Sequence, residues 1–377
     1  MISYGKQNIN QVDIDTVVEV LRSDFLTQGS KVNEFECDLA SYCGTQYAKV
    51  TSNATAALHL SYLAIGLGKG DIVWTTPNTF VATANAALYC GAKVDFVDID
   101  SETYNISIAA LKSKLVQAKR DKNLPSLVVP VHFAGQSCEM KDIWELSKEY
   151  GFKVIEDASH ALGGEYLNFK VGSCRYSDMT VFSFHPVKMI TTGEGGAVLT
   201  NNKDLNDKVT LLLNHGITKD ASQFNNESDG EWYYEQQVLG FNYRLTDIQA
   251  ALGISQLKRL DNFVKKRREI ARRYLNELEG IKLPYQHPDT NSSWHLFVIL
   301  SKNRGIVKQK LKEHGVGSQV HYIPVVSQPY YQDMEYNIKH YPKTDTYYQN
   351  TLSIPMYYEL NSVEQELIIS SINSLLQ

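Results

Sequence analysis

The chain has 377 residues, 43% hydrophobic and 21% charged, a balance typical of a globular protein with one large domain and a smaller one. Its 37 basic and 42 acidic residues give a net charge of −5 without any Lys/Arg block, which argues against nucleic acid as a partner. No apolar run could span a bilayer and the N-terminus lacks a signal-peptide pattern, so we expect no membrane association. The five cysteines lack CxxC spacing, which favours reduced thiols, no metal site and a cytoplasmic location.

Helix-like and strand-like segments alternate along the first half of the chain. A helix is predicted from about Asn10, with Val17, Val18 and Leu21 as its apolar stripe, and an apolar helix from about Thr55. Strand-like segments follow at 71–77, 93–100, 124–135, 153–159, 178–184 and 195–201. Because these strands are apolar on both faces, we expect an α/β fold with a mainly parallel sheet covered by helices on both sides. Ligands of such sheets bind beyond the carboxyl ends of the strands.

The sequence changes character at about residue 245. A long amphipathic pattern over 246–280 predicts a linker helix broken once, and shorter elements after Pro284 indicate an α+β unit. We therefore expect a large ligand-binding domain over 1–245 and a linker helix with a small C-terminal domain over 246–377.

The segment SNATAAL, residues 52–58, opens the predicted helix with small residues. Free N–H groups at a helix start can bind an anion such as phosphate. An ordinary N-cap by Ser52 or Asn53 explains the same residues, and the segment alone does not decide between the two.

Asp157 follows a predicted strand in VIEDASHALG, residues 154–163. A carboxylate at this edge of the sheet can hold a protonated ring nitrogen, although a helix N-cap is an equal alternative. His160 lies three residues later, and a histidine among small residues is by itself more typical of a structural residue than of a catalytic one.

Lys188 lies in SFHPVKMITTGEGG, residues 183–196, flanked by Val187, Met189 and Ile190. An amine that attacks a carbonyl works better where apolar surroundings disfavour its charged form. A loop lysine that reaches to solvent along its apolar stem is the alternative.

Taken together, these segments resemble the DegT/DnrJ/EryC1/StrS family of pyridoxal-phosphate (PLP) sugar aminotransferases. The resemblance covers LTQGSKVNEFE (26–36), the Lys188 segment, GFNYRLTDIQAALGISQL (240–257) and VHYIP (320–324), which is nearly the full length. It implies PLP-dependent transferase fold type I, the aspartate aminotransferase-like fold. It also implies transfer of an amino group from L-glutamate to a nucleotide-linked 4-keto-6-deoxy sugar. The sequence is most similar to members that use a UDP-linked, N-acetylated sugar to make pseudaminic acid.

The resemblance assigns three catalytic residues. Lys188 is the Schiff-base lysine, which also moves the proton between the substrate carbon and the cofactor. Asp157 keeps the ring nitrogen protonated, and His160 lies near the phenolic oxygen of the ring. Many members carry glutamine in place of His160.

Further residues are assigned to the cofactor by the same resemblance. Ser183 and the backbone amides of Ala54 and Thr55 hold the 5′-phosphate, although the family more often has SGTAAL where this chain has SNATAAL. Phe80 covers the ring face, with a plain core phenylalanine as the alternative. Asn242 reaches the phosphate from the neighbouring subunit, which implies a homodimer with shared active sites.

Nine residues are assigned to the sugar nucleotide, with simple loop packing as the alternative: Tyr4, Asp24, Phe25, Leu26, Thr27, Gln319, Val320, His321 and Tyr322. Arg244 and His321 are candidates for binding the α-carboxylate of the amino donor. Two other functions stay open from the sequence: amination of another UDP- or dTDP-linked keto sugar, and a non-catalytic scaffold that keeps the cofactor fold.

Overall fold

The computed structural model describes residues 1–374. The α-helices are α1 Gln11–Leu21, α2 Ser30–Cys43, α3 Ala54–Ala64, α4 Val81–Tyr89, α5 Ile108–Arg120, α6 Met140–Tyr150, α7 Lys203–Leu213, α8 Asp247–Leu257, α9 Leu260–Glu277, α10 Arg304–Glu313, α11 Pro329–Gln332, α12 Pro342–Asn350 and α13 Ser362–Ser374. The strands are β1 Tyr47–Thr51, β2 Ile72–Thr75, β3 Lys93–Phe96, β4 Leu127–Val128, β5 Lys153–Asp157, β6 Glu165–Tyr166, β7 Phe169–Lys170, β8 Met179–Ser183, β9 Gly196–Thr200, β10 Ile217–Thr218, β11 Glu235–Gln236, β12 Thr290–Asn291, β13 Phe297–Leu300 and β14 Thr351–Ile354.

Seven strands form the central sheet in the order β1-β9-β8-β5-β4-β2-β3, and β9 runs against the other six. The parallel pair β5 and β8 is in register with Asp157 opposite Val181, so Asp157 and Ser183 lie at the same edge of the sheet. The mainly parallel sheet predicted from the sequence is confirmed. Its carboxyl edge is where ligands of this architecture bind.

Helices cover both faces of this sheet. On one face, side chains of α3, α4 and α7 pack against inward residues such as Ile155 and Val181. On the other face, α5 and α6 pack against Val154, while α2 and α8 pack against Phe182. Since neighbouring residues of a strand point to opposite faces, β5 sends Glu156 and Asp157 into different surroundings.

The predicted first helix begins at Asn10 as expected, because the Asn10 side chain accepts the N–H of Asp13 and the Asp13 carboxylate accepts the N–H of Asn10. The predicted apolar stripe is wrong. Val17 and Val18 are only half-buried and Leu21 is exposed, whereas Asp13 is buried and accepts hydrogen bonds from Ser255 and Gln256 of α8.

The predicted break in the long helical pattern occurs between α8 and α9. Apolar residues of α9 form a separate core with β13, β14, α10 and α13. The Arg267 guanidinium of α9 is buried and donates from Nη1 to the carbonyls of Trp294, His295 and Met356, at 3.2, 3.1 and 2.9 Å. The domain boundary at 245/246 stays a prediction. None of the helices within residues 1–374 is both long and apolar enough to cross a membrane.

Candidate active site

A cavity of about 830 Å³ opens at the carboxyl edge of the sheet. Its walls are the ends of β5 and β8, the first turns of α3 and α4, and the loop that carries Lys188. Tyr4, His295, His321 and Tyr322 also line the cavity. The volume falls in the range of small-molecule sites. Within the described residues, no group of three or more His, Cys, Asp or Glu side chains is arranged to hold a metal ion.

Lys188 lies in the loop between β8 and β9, between a half-buried Val187 and the buried Met189 and Ile190. Its half-buried side chain lines the cavity, as expected for a lysine that serves this site. Burial lowers the pKa of Lys188 from 10.5 to about 8, and the negative charge of Asp157 opposes part of that shift. At pH 7 about 10% of the amine is then neutral, against about 0.03% for an ordinary lysine.

Asp157 ends β5 and is only 6% exposed. Its Oδ2 accepts the Thr83 hydroxyl at 2.6 Å, and its Oδ1 accepts the Ser159 hydroxyl at 2.7 Å and the Ser159 N–H at 3.2 Å. A carboxylate has about four acceptor positions, so Asp157 keeps capacity for a donor that enters the cavity it lines.

The start of α3 faces the same cavity through Ala54 and Thr55. Asn53 caps the helix by accepting the Ala56 N–H at 2.8 Å, so the N-cap explanation is correct for Asn53. The N–H groups of Ala54 and Thr55 still lack intrahelical acceptors, as in the first turn of every helix. A side chain at Gly196 would lie 2.7 Å from the Ala54 nitrogen, so glycine allows β9 to pass this close to the helix start.

His160 is buried between Ala134 and Tyr322. Its Nδ1 accepts the Ala134 N–H at 3.3 Å, and its Nε2 lies 2.9 Å from the Tyr322 hydroxyl. Burial, with smaller contributions from the charges of Lys188 and His321, holds the pKa of His160 well below its usual value. The imidazole is therefore neutral. Because both of its nitrogens contact the chain itself, the expected position of His160 near the phenolic oxygen of the ring stays a prediction.

Two further histidines face the cavity beside His160. The His295 ring centroid lies 4.4 Å from that of His160, and its Nδ1 is buried without a hydrogen-bond partner in the described part of the chain. His321 pairs its Nδ1 with the Ser353 hydroxyl at 2.8 Å. Burial and the charge of Lys188 lower the pKa of His321 to about 3, so both rings can act as neutral hydrogen-bonding groups.

This chain matches the family model described as the DegT/DnrJ/EryC1/StrS aminotransferase family over residues 7–373. The chain belongs to this family. It is an aminotransferase, and the family and fold expected from the sequence are confirmed.

Individual relatives agree with this result over their whole length. The UDP-4-amino-4,6-dideoxy-N-acetyl-beta-L-altrosamine transaminase of Campylobacter jejuni is 43% identical, with 100% of this chain and 98% of that protein covered. The solved structure of Helicobacter pylori PseC, an aminotransferase involved in the biosynthesis of pseudoaminic acid, is 32% identical, with a TM-score of 0.90 and coverage of 100% and 99%. The PLP form of the sugar aminotransferase Spr1654 from Streptococcus pneumoniae is 26% identical, with a TM-score of 0.89 and coverage of 100% and 98%.

The cofactor of the family is PLP, and the groups of this cavity fit it. The fit rests on a primary amine with a depressed pKa, a buried carboxylate with unused acceptor positions, and a helix start that lies beside Ser183. These groups match three of the four polar parts of the cofactor: the aldehyde, the basic ring nitrogen and the phosphate. Phe80, 59% exposed and on the cavity wall, is not a core phenylalanine and offers its ring to the same space.

Several residues predicted for the aminotransferase site do not line the cavity of the single chain. Asn242 is exposed, Gln319 is exposed and pairs its backbone with Ser353, and Val320 is half-buried beside it. The segment Asp24–Thr27 is exposed and lies where the Asp247 N–H donates to the Leu26 carbonyl.

The two candidates for the donor carboxylate also differ in position. Arg244 donates from Nη1 to the Asn214 side chain and is not part of the cavity wall, whereas His321 is.

Thr83 and His295 are site residues that the sequence analysis missed. Thr83 lies in the first turn of α4, binds Asp157 and also lies 2.9 Å from the Thr79 hydroxyl, and its sequence gives no local signal for either contact. His295 reaches the site only because the C-terminal half folds back over it, and the sequence contains no local signal for that.

Proposed function

We propose that this aminotransferase converts a UDP-linked, N-acetylated 4-keto-6-deoxy sugar to its 4-amino sugar, with L-glutamate as donor, in pseudaminic acid or related surface-glycan biosynthesis. The observation that carries the proposal is that Lys188, with its lowered pKa, and the buried Asp157 line one cavity. The chain is also 43% identical to the UDP-4-amino-4,6-dideoxy-N-acetyl-beta-L-altrosamine transaminase of Campylobacter jejuni. The expected cytoplasmic location belongs to the same proposal.

The residues of the cavity divide the work by their chemistry. When bound, PLP supplies an aldehyde that carries the amino group and a ring that accepts the electron pair of a broken C–H bond. Lys188 would hold this group through Nζ and, once released, take the proton from the substrate carbon and return it. Its depressed pKa suits both tasks, because a substantial fraction of the amine is neutral near pH 7.

Asp157 would keep a proton on the ring nitrogen. Its carboxylate is fixed by Thr83 and Ser159, so it can accept that N–H without rearranging. Ser183 with the N–H groups of Ala54 and Thr55 would bind the phosphate at the start of α3, where the helix dipole favours an anion.

A homodimer completes the proposal. Asn242 is exposed and absent from the cavity wall of its own chain, as expected of a residue that serves the site of a partner. Mixing Lys188→Ala with Asn242→Ala subunits tests this directly. If half the dimers are mixed, and each mixed dimer holds one intact site, roughly a quarter of the wild-type activity returns. No recovery would show that Asn242 acts in its own chain.

The experiment that tests the reaction supplies the purified enzyme with L-glutamate and either the UDP-linked or the dTDP-linked keto sugar, and follows the amino sugar by mass spectrometry. We expect amination of the UDP-linked sugar and none with Lys188→Ala, which should remain folded. Selective amination of the dTDP-linked sugar would reject the substrate but keep the reaction. Failure of L-glutamate to change the visible band of the cofactor would favour a non-catalytic scaffold.

The covalent attachment has its own test. Borohydride reduction of the PLP-loaded protein followed by peptide mapping should label the peptide that contains Lys188. A label on another lysine would overturn the central assignment.

A further inference from the structure

The His160 ring is held in one protonation state by its hydrogen bonds. Nδ1 faces the Ala134 N–H and must be the acceptor there. A charged imidazolium would place one N–H against another, so the ring carries its single proton on Nε2. The Nε2–H therefore donates to the Tyr322 oxygen at 2.9 Å, and the direction of this bond is fixed.

This direction determines what Tyr322 can do. Its oxygen accepts from His160, so its own hydroxyl hydrogen is left for another acceptor. Across residues 1–374 the Tyr322 hydroxyl makes no second hydrogen bond, and the side chain lines the cavity. Burial and the negative charge of Asp157 raise the pKa of Tyr322, so the hydroxyl keeps its hydrogen.

The backbone around His160 is strained where it makes this contact. Ala134 has a φ of +57° and Trp294 a φ of +55°, a left-handed conformation that is unfavourable for a residue other than glycine. Gly135, which follows Ala134, has a φ of +100°, and a side chain there would lie 2.6 Å from the Ser293 hydroxyl oxygen. Strain of this kind is retained near functional sites, and here it directs the Ala134 N–H at His160.

We propose that Tyr322 donates its hydroxyl hydrogen to the carbonyl oxygen of the keto substrate, and that His160 is the positioning residue that keeps Tyr322 a donor. The inference rests on the proposed aminotransferase reaction but not on the identity of the sugar. When an amine attacks a ketone, negative charge develops on the oxygen, and a donor already aimed at that oxygen lowers the barrier. Asp157 is an acceptor only and cannot take this part.

This role differs from simple contact with the sugar nucleotide, which is what the family resemblance assigned to Tyr322. A sugar contact would act only in the half-reaction that uses the sugar. A donor to the carbonyl oxygen acts in both, because the glutamate half-reaction also passes through a carbonyl, that of 2-oxoglutarate. We expect Tyr322→Phe to slow both half-reactions by about 100-fold.

The His160 variants test the direction of the bond. In His160→Gln the amide oxygen can accept from Ala134 and the amide N–H can donate to Tyr322, so most of the rate should return, within about five-fold. In His160→Glu the carboxylate only accepts, so Tyr322 turns its hydrogen toward Glu and the loss should equal that of Tyr322→Phe. The double variant His160→Glu/Tyr322→Phe should be no slower than His160→Glu or Tyr322→Phe alone, because both changes remove the same donor.

The matched control is His132→Gln, since His132 also accepts a backbone N–H at Nδ1, from Cys138 at 3.1 Å, but points away from the cavity. Both half-reactions are followed in single turnovers by the visible band. The glutamate half-reaction needs no sugar, so the inference is tested even if the proposed sugar is wrong.

A measurement without cofactor or substrate completes the test. In the ¹⁵N-histidine-labelled protein, long-range ¹H–¹⁵N spectra should show His160 neutral with its proton on Nε2. A proton on Nδ1, a Tyr322→Phe variant slowed only in the sugar half-reaction, or a His160→Glu variant as fast as wild type would each overturn the inference.

Discussion

Glu156 and Asp157 are neighbours in β5, and both are nearly inaccessible to solvent, yet their surroundings differ completely. Glu156 lies on the face covered by α5 and α6. Its oxygens accept the Ser177 hydroxyl at 2.5 Å, the Thr180 hydroxyl at 2.8 Å and the His132 Nε2–H at 2.6 Å. Asp157 lies on the other face and lines the 830 Å³ cavity.

Burial alone therefore does not separate a structural acid from a catalytic one. The Glu156 carboxylate accepts all three of its hydrogen bonds from side chains of this chain. This carboxylate therefore connects β5 to β8 and to the loops that carry His132 and Ser177. Within residues 1–374, the Asp157 carboxylate accepts hydrogen bonds from Thr83 and Ser159 only, and its unused acceptor capacity is available to a ligand in the cavity. Because the two acids are neighbours in one strand, comparing a variant of each shows how the face of the sheet decides whether an acid contributes to stability or to catalysis.

The largest expected effect is on catalysis, in Asp157→Asn. The amide keeps the size of the side chain but cannot hold a positive ring nitrogen, so kcat should fall by about 10²–10³-fold. The free energy of unfolding of the apo-protein should change by less than about 1.5 kcal/mol. Steady-state kinetics and urea denaturation measure the two quantities. Normal turnover would mean that another acid serves the ring.

Glu156→Gln should show the opposite behaviour. The amide can keep an oxygen toward the His132 Nε2–H by turning its N–H₂ toward the Ser177 and Thr180 hydroxyls, but the hydrogen bonds then no longer involve a charged group and are weaker. We expect the unfolding free energy to fall by about 2–3 kcal/mol, with kcat of the folded protein within about two-fold. A loss of activity without a loss of stability would break the comparison.

On the Asp157 side, Lys188 should destabilise the apo-protein near neutral pH. Its folded pKa of about 8 lies below the ordinary 10.5, so between these pH values the unfolded chain binds the extra proton and wild-type stability rises with pH. Lys188→Met lacks this unfavourable contribution and should be more stable than wild type by about 3 kcal/mol at pH 7.

That difference should shrink as the pH rises to 9.5, which urea denaturation at both pH values can measure. Lys93→Met, at the exposed start of β3, is the surface control. A stabilisation that is the same at both pH values would show that packing, and not the buried charge, is responsible.

The smallest expected effect concerns His295. Burial and neighbouring positive charges hold the pKa of His295 well below its usual value, so below about pH 6.5 the unfolded chain binds a proton that the folded chain does not. Stability is therefore lost as the pH falls, and His295→Gln should reduce that loss by about 1.5 kcal/mol between pH 6.5 and 5. His340→Gln, at an exposed histidine, is the control, and equal acid sensitivity in wild type and His295→Gln would contradict the prediction.

The sequence predicts the parts of the site that follow local rules. Lys188, Asp157 and the start of α3 stand at strand ends and helix starts, so the alternation of elements places them at one edge. Contacts between distant segments were not accessible in this way. Asp13 is buried because Ser255 and Gln256 of α8 and Arg259 of the following turn donate to it from more than 240 residues away, which helical periodicity cannot show.

The same reason explains Glu156. The strand shows two adjacent acids, but only the fold shows that His132 and Ser177 converge on the first of them. The predicted strand over 124–135 likewise shortens to β4, because Pro130 has no N–H to donate to the ladder. The chain still pairs with β5 through a bridge between Val131 and Asp157 before it turns at Ala134.

The carbonyl contacts of Arg267 have a consequence for engineering this protein. One guanidinium on α9 joins the loop that carries His295 to the segment after β14, so α9 provides the geometry on which the rear wall of the cavity depends. A chimera that grafts a foreign C-terminal half onto this sheet must therefore import α9 together with its carbonyl partners. A junction placed after α9 would separate the Arg267 guanidinium from the only acceptors that its Nη1 has within residues 1–374. A buried charge would then be left without partners even if the grafted surfaces were compatible.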